Sequence, residues 1–274
     1  MLRTRYAHDA AADFVSIHEK RRGSYTVSAR AEAQRRGSLA AEALCQVRKK
    51  GGSKIMNIAH YIDHTNLNPA ATAKDIEKLC AEAREYGFAS VCVNSSRAAL
   101  ASSLLKGSGV AVCCVVGLPL GAAAAEAKAF EAHKAAADGA SEIDMVINVG
   151  FIKDGNIKAA EDDIRAVVDA VPGAVVKVII ETCLLNDDEK IAACRAAEAA
   201  GAKFVKTSTG FSTGGATVDD VRLMRKSVSA AVKVKASGGI RDAESALAMI
   251  KAGAERLGTS RSIAVCREAA EKDL

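Results

Sequence analysis

The sequence predicts an α/β fold, a single (β/α)8 TIM barrel, and three observations lead to it. From residue 56 onward, short apolar runs rich in Val and Ile alternate with longer amphipathic segments, as expected for strands buried on both faces and helices laid over them. Eight such units fit into about 220 residues, the count and size of a closed barrel. An open doubly wound sheet usually places a Gly-x-Gly-x-x-Gly turn after its first strand. Here the first run instead ends in Asp63, His64, Thr65 and Asn66.

The strand-like runs, in order, are 61–63, 89–93, 110–116, 142–148, 175–181, 204–207, 232–236 and 256–258. Each is short and dominated by Val, Ile, Cys or Met, which suits a strand with both faces covered. The helical segments between them are 73–86, 123–138, 157–171, 187–200, 218–228 and 243–252, Ala-rich with spaced charges. Gly87, Gly139 and Gly201 follow three of these segments and read as helix stops.

Residues 1–55 are set apart by charge. They hold twelve Lys or Arg against five Asp or Glu, whereas the whole chain is only +5, which leaves the remainder slightly acidic. Lacking sustained periodicity, this segment reads as a basic, disordered or non-native extension ahead of a barrel domain over residues 56–274. Asp9, Asp13, Glu19, Glu32 and Glu42 argue against an acid-poor transit peptide.

Composition narrows the function classes. Only 4% of residues are aromatic and Trp is absent, so the exposed rings that stack nucleic-acid bases are missing and no nucleic-acid partner is expected. No apolar run approaches the ~20 residues of a membrane span, so no membrane partner is expected either. The eight cysteines form no Cys-x-x-Cys pair, and several sit in apolar runs such as Val91-Cys92-Val93. They read as buried reduced thiols of a cytoplasmic protein. The five histidines show no ligand spacing, so no metal is expected.

In such barrels the chemistry gathers at the carboxyl ends of the strands. The polar residues there include Asp63, Asn94, Asp144, Asn148, Glu181, Lys206 and Lys235. Two lysines ending successive strands are the least ordinary feature, since burying an ammonium costs several kcal/mol. Two facing ammonium groups repel, so at least one of the pair is expected to titrate lower and supply an amine that attacks a carbonyl. Alternation puts Lys233 and Lys235 on one face, so pattern alone does not choose between them. A lysine that only holds a phosphate or a structural carboxylate is the plainer alternative. Asp144 shares a face with Glu142 and could move protons beside the lysines, or could form a structural ion pair. Gly210, Ser237, Gly238, Gly239, Gly258 and Ser260 lie in three glycine- and hydroxyl-rich turns after the last three strands. Those turns predict an anion site and a phosphorylated substrate.

These segments resemble the deoxyribose-phosphate aldolase family from about Asn57 to Ala264. The resemblance is carried by Ile62-Asp63-His64-Thr65, Glu142-Ile143-Asp144-Met145-Val146-Ile147-Asn148, Val205-Lys206-Thr207-Ser208-Thr209-Gly210 and Lys235-Ala236-Ser237-Gly238-Gly239, in the family's order and spacing. It implies reversible cleavage of 2-deoxy-D-ribose 5-phosphate to glyceraldehyde 3-phosphate and acetaldehyde, without metal or organic cofactor. Lys206 matches the Schiff-base lysine, Lys235 the assisting second lysine, and Asp144 the proton-transferring carboxylate. The expected partners are a small phosphorylated sugar and acetaldehyde, and the expected assembly is a homo-oligomer, a dimer or a tetramer. Leu118 stands where the family more usually has Phe, and Ser95 where Pro is common; neither change removes a reacting group. A ketose-phosphate aldolase and a non-catalytic sugar-phosphate sensor are the competing functions.

Overall fold

A computed structural model describes residues 46–48 and 55–271. Eight parallel strands close into a barrel, each hydrogen-bonded to the next in chain order, with the last pairing back onto the first. Two short strands precede them. β1 (Gln46–Arg48) and β2 (Ile55–Asn57) pair antiparallel. This pair straddles the boundary expected at residue 56; the remainder of residues 1–54 lies outside the described residues.

The barrel itself runs β3 (Ile62–Asn66), α1 (Ala73–Tyr86), β4 (Ser90–Asn94), α2 (Ala98–Leu105), β5 (Ala111–Val116), α3 (Ala125–Ala137) and β6 (Glu142–Val146). It continues through α4 (Val149–Lys153), α5 (Ile157–Ala170), β7 (Val175–Ile179), α6 (Asp187–Ala199), β8 (Phe204–Lys206) and α7 (Val218–Ser227). It closes with β9 (Lys233–Ser237), α8 (Ala243–Ala252), β10 (Arg256–Thr259) and α9 (Ser262–Glu271). All eight barrel strands fall within or beside the predicted runs. Helix α2 was not anticipated: it spans only two turns, and Ser102 and Ser103 weaken its helical signal. The short α4 and the closing α9 were also not anticipated.

Local chemistry sets the ends of these helices. Thr72 accepts the Asp75 N–H while Asp75 accepts the Thr72 N–H, a reciprocal cap of about 1 kcal/mol at the start of α1. Asn186 with Glu189 and Asp242 with Ser245 repeat that arrangement on α6 and α8. Gly87 ends α1 in the left-handed conformation, the stop its position predicts.

The main apolar core lies between the outer face of the strands and the helices. Val91, Val93, Ile143, Met145, Val176 and Val178 meet Ala83, Ala132, Ala135, Ala160, Ala193 and Ala197, all buried. The small Ala side chains let the helices sit close to the sheet. The barrel interior is different. Alternation sends Asp63, Cys92, Cys113, Glu142, Asp144, Lys177, Lys206 and Lys235 inward, where such barrels usually pack branched aliphatic side chains. Among the described residues, no helix is long and apolar enough to cross a membrane.

Candidate active site

Asp144 is the hub of the interior. Its Oδ2 accepts hydrogen bonds from Lys206 Nζ at 2.7 Å and Lys235 Nζ at 2.6 Å. Its Oδ1 accepts from Lys177 Nζ at 2.8 Å and from Cys113 Sγ at 3.0 Å. Register explains the convergence: Asp144 lies beside Lys177 across β6–β7, and Lys206 beside Lys235 across β8–β9. Glu142, Asp63 and Arg256 complete the cluster. Lys177 pairs with Glu142 at 2.6 Å, Arg256 bridges Asp63 at 2.7 Å and Glu142 at 2.6 Å, and Lys235 also donates to Asp63. Four cations thus face three carboxylates.

The charges determine each other's protonation. Burial opposes ionisation of Asp144, but Lys177, Lys206 and Lys235 outweigh it and hold its carboxyl well below the ordinary range. Burial likewise pulls the Lys235 amine down, but Asp144 and Asp63 outweigh it and raise Lys235 well above the usual lysine value. Of the two strand-end lysines, Lys235 is therefore not the one whose amine falls. Asp144, expected beside the lysines, and Asp63 both touch Lys235 directly. Lys177 is raised for the same reason, with Asp144 its foremost carboxylate neighbour.

Asp63 gives this network a stability signature. Burial raises its pKa, but Lys235, Lys177 and Arg256 bring it down from 3.8 to about 2. That drop corresponds to about 2 kcal/mol of native stability, present above the unfolded value and lost as pH falls through the folded one. Urea midpoints measured between pH 4 and 2 are expected to fall more steeply for the wild type than for Asp63→Asn. Parallel curves would show that Asp63 does not carry this dependence.

Lys206 differs from its neighbours in where it opens. It lines a cavity of about 660 Å³ at the carboxyl ends of the strands, and of the three clustered lysines it alone does so. Lys177 and Lys235 are sealed beneath it, fully buried. The ambiguity on β9 is resolved by height in the barrel. Lys235 reaches Asp144, whereas Lys233 lies near the opposite end, exposed, 5.9 Å from the Phe204 ring centroid and 3.6 Å from Glu255.

Gly210, Ser237, Gly238, Gly239, Gly258 and Ser260 line the same cavity, joined by Thr209, Arg241 and Arg261. The three predicted turns therefore form one polar wall beside Lys206. Gly258 is required for packing: a Cβ there would come within 2.9 Å of Ser237 Cβ and 3.2 Å of Lys235 Cε. Ser237 is a brace within that wall. Its hydroxyl donates to Ser208 O at 2.6 Å and its N–H donates to Thr207 Oγ1 at 3.0 Å.

Several participants escaped the sequence reading. Lys177 had a signal, a lone charge inside Val175-Val176-Lys177-Val178-Ile179. Glu181, read from the sequence only as one of the polar strand ends, holds a left-handed backbone conformation at φ 54, which costs a non-glycine residue about 1–2 kcal/mol. On α3, Lys128 is buried and donates to Asp163 at 2.7 Å and to Val146 O at 3.0 Å, tying α3 and α5 to the end of β6. Cys92, Cys113 and Asp144 bring three potential metal-ligand atoms within 4.8 Å of one another, but three ammonium groups already compensate the carboxylate. Of the cysteines, Cys183 is exposed and six others are buried, while Cys45 lies outside the described residues.

An amine opening into a polar cavity, with a carboxylate and a second amine directly behind it, has the parts of a class I aldolase, a carbon–carbon lyase that works through an imine. Comparison with known proteins agrees. The family model described as DeoC/LacD family aldolase matches residues 57–264. A deoxyribose-phosphate aldolase of Geobacillus sp. (strain WCH70) is 60% identical over 210 residues, covering 76% of this chain and 94% of the relative. One from Alkaliphilus oremlandii is 59% identical over 219 residues, covering 80% and 98%. Among solved structures, the deoxyribose phosphate aldolase of Aeropyrum pernix, described as having a unique tetrameric structure, superposes with a TM-score of 0.72 at 35% identity, covering 77% of this chain and 89% of that one. The chain belongs to the DeoC/LacD aldolase family.

Proposed function

We propose that the chain is a deoxyribose-phosphate aldolase that uses Lys206 as its nucleophile. The observation that carries this reading is the position of Lys206, the one lysine of the cluster that reaches the cavity while sharing a carboxylate oxygen with Lys235. Lys206 attacks C1 of open-chain 2-deoxy-D-ribose 5-phosphate, and the carbinolamine loses water to give a protonated imine. As the C3 hydroxyl loses its proton, the C2–C3 bond breaks and its electrons flow into the imine. Glyceraldehyde 3-phosphate departs, leaving an enamine, which is protonated at C2 and hydrolysed to acetaldehyde. Asp144, touching both amines, passes protons between them. The iminium is itself the electron sink, so the reaction calls for neither metal nor organic cofactor.

The glycine turns and Arg241 and Arg261 suit the phosphate end of the substrate. A homo-oligomer, dimer or tetramer, is part of this reading; the Aeropyrum pernix relative is described as tetrameric.

The full chain incubated with 2-deoxy-D-ribose 5-phosphate is expected to release acetaldehyde and glyceraldehyde 3-phosphate in equal amounts. Release of dihydroxyacetone phosphate from a ketose phosphate, with no acetaldehyde from the deoxy sugar, would replace this substrate with the ketose alternative.

A further inference from the structure

Glu181 is the one non-glycine residue at positive φ among the described residues, and it sits where the pairing beyond β7 and β8 slips. Ile180 N–H donates to Lys206 O and Thr182 N–H to Thr207 O, both at 2.9 Å, so two residues of the segment after β7 advance against one of the segment after β8. A slip of this kind re-aims a side chain. Here it turns the Glu181 carboxylate, only 3% exposed, onto Thr209. Both carboxylate oxygens accept the Thr209 N–H, at 3.2 and 3.3 Å, and one also accepts the Thr209 hydroxyl. Thr209 Oγ1 in turn accepts the Phe211 N–H at 3.1 Å, which closes the turn around Gly210. No cation pairs with this carboxylate among the described residues.

We propose that Glu181 is a positioning residue that fixes the Thr209–Gly210 turn for the phosphate end of the substrate, and thereby sets the preference for a phosphorylated over a free sugar. Lys206 is held independently, by Asp144 and by the strands on either side. The hold of Glu181 therefore acts on the turn beyond the nucleophile, beside Gly238 and Gly239 in the same cavity wall. The proposal rests on the phosphosugar substrate proposed above.

The test compares 2-deoxy-D-ribose 5-phosphate with 2-deoxy-D-ribose on the full chain and on Glu181→Ala, Glu181→Gln, Thr209→Val and the Ala–Val double variant. Glu181→Ala is expected to lower kcat/KM for the phosphorylated sugar by about tenfold to a hundredfold, mainly through KM, with a much smaller loss on the free sugar. Glu181→Gln, which keeps one carbonyl oxygen toward Thr209, should fall between Glu181→Ala and wild type. The double variant should be no worse than Glu181→Ala, since both changes break one contact. Equal losses on both sugars, or losses that add in the double variant, would overturn the proposal. If Glu181→Ala does not fold by circular dichroism, Glu181→Gln carries the same comparison. A wild type with no preference for the phosphorylated sugar would instead refute the substrate assignment, which separates the two failures.

Discussion

Lys206→Ala is expected to abolish covalent capture of acetaldehyde and to lower turnover on the order of 10⁴-fold or more. In the wild type, borohydride and acetaldehyde should leave an ethyl group on Lys206, located by peptide mass mapping. The case is geometric. Lys177 and Lys235 have amines too, but both are sealed from the cavity and pinned between carboxylates that keep them protonated. The variant should stay folded, because Asp144 keeps Lys177 and Lys235 as partners once Lys206 is gone. Undiminished labelling of Lys206→Ala would move the nucleophile elsewhere.

Lys235→Leu should cost about 10²–10⁴-fold in kcat while imine trapping on Lys206 continues more slowly. Lys235 shares Asp144 Oδ2 with Lys206, so its loss removes both a fixed positive charge beside the reacting nitrogen and one end of the proton path. The fold should survive. Asp63 retains Arg256, and Asp144 retains Lys177 and Lys206. Leu also fills much of the volume of the lysine stem, which lies against Gly258. Wild-type turnover in this variant would remove Lys235 from the reaction.

The eight strands were legible because a parallel strand covered on both faces is written as a continuous apolar run. Lys206 and Lys235 were legible because each stands just before a hydroxyl- and glycine-rich turn, and Asp144 because it shares its run with Asn148 at the carboxyl end. Lys177, Glu142 and Arg256 were not singled out. They lie at or below the middle of the barrel, away from the strand ends where chemistry was sought, and only the closed register shows that they meet. The choice between Lys233 and Lys235 was beyond periodicity, which gives both the same face; it follows from Lys206 pairing with Lys235 and Phe204 with Lys233. Lys128 resembled any solvated helix lysine, since nothing local announces that α3 turns it toward Asp163. Glu181 is marked by backbone geometry, and residue order alone does not reveal a left-handed glutamate.

With every group of the interior cluster ionised, Lys177, Lys206, Lys235 and Arg256 outnumber Asp63, Glu142 and Asp144 by one. Release of the one proton that Lys206 must lose before attacking a carbonyl leaves three cations facing three carboxylates, so the cluster is electrically balanced in the form in which its nucleophile is active.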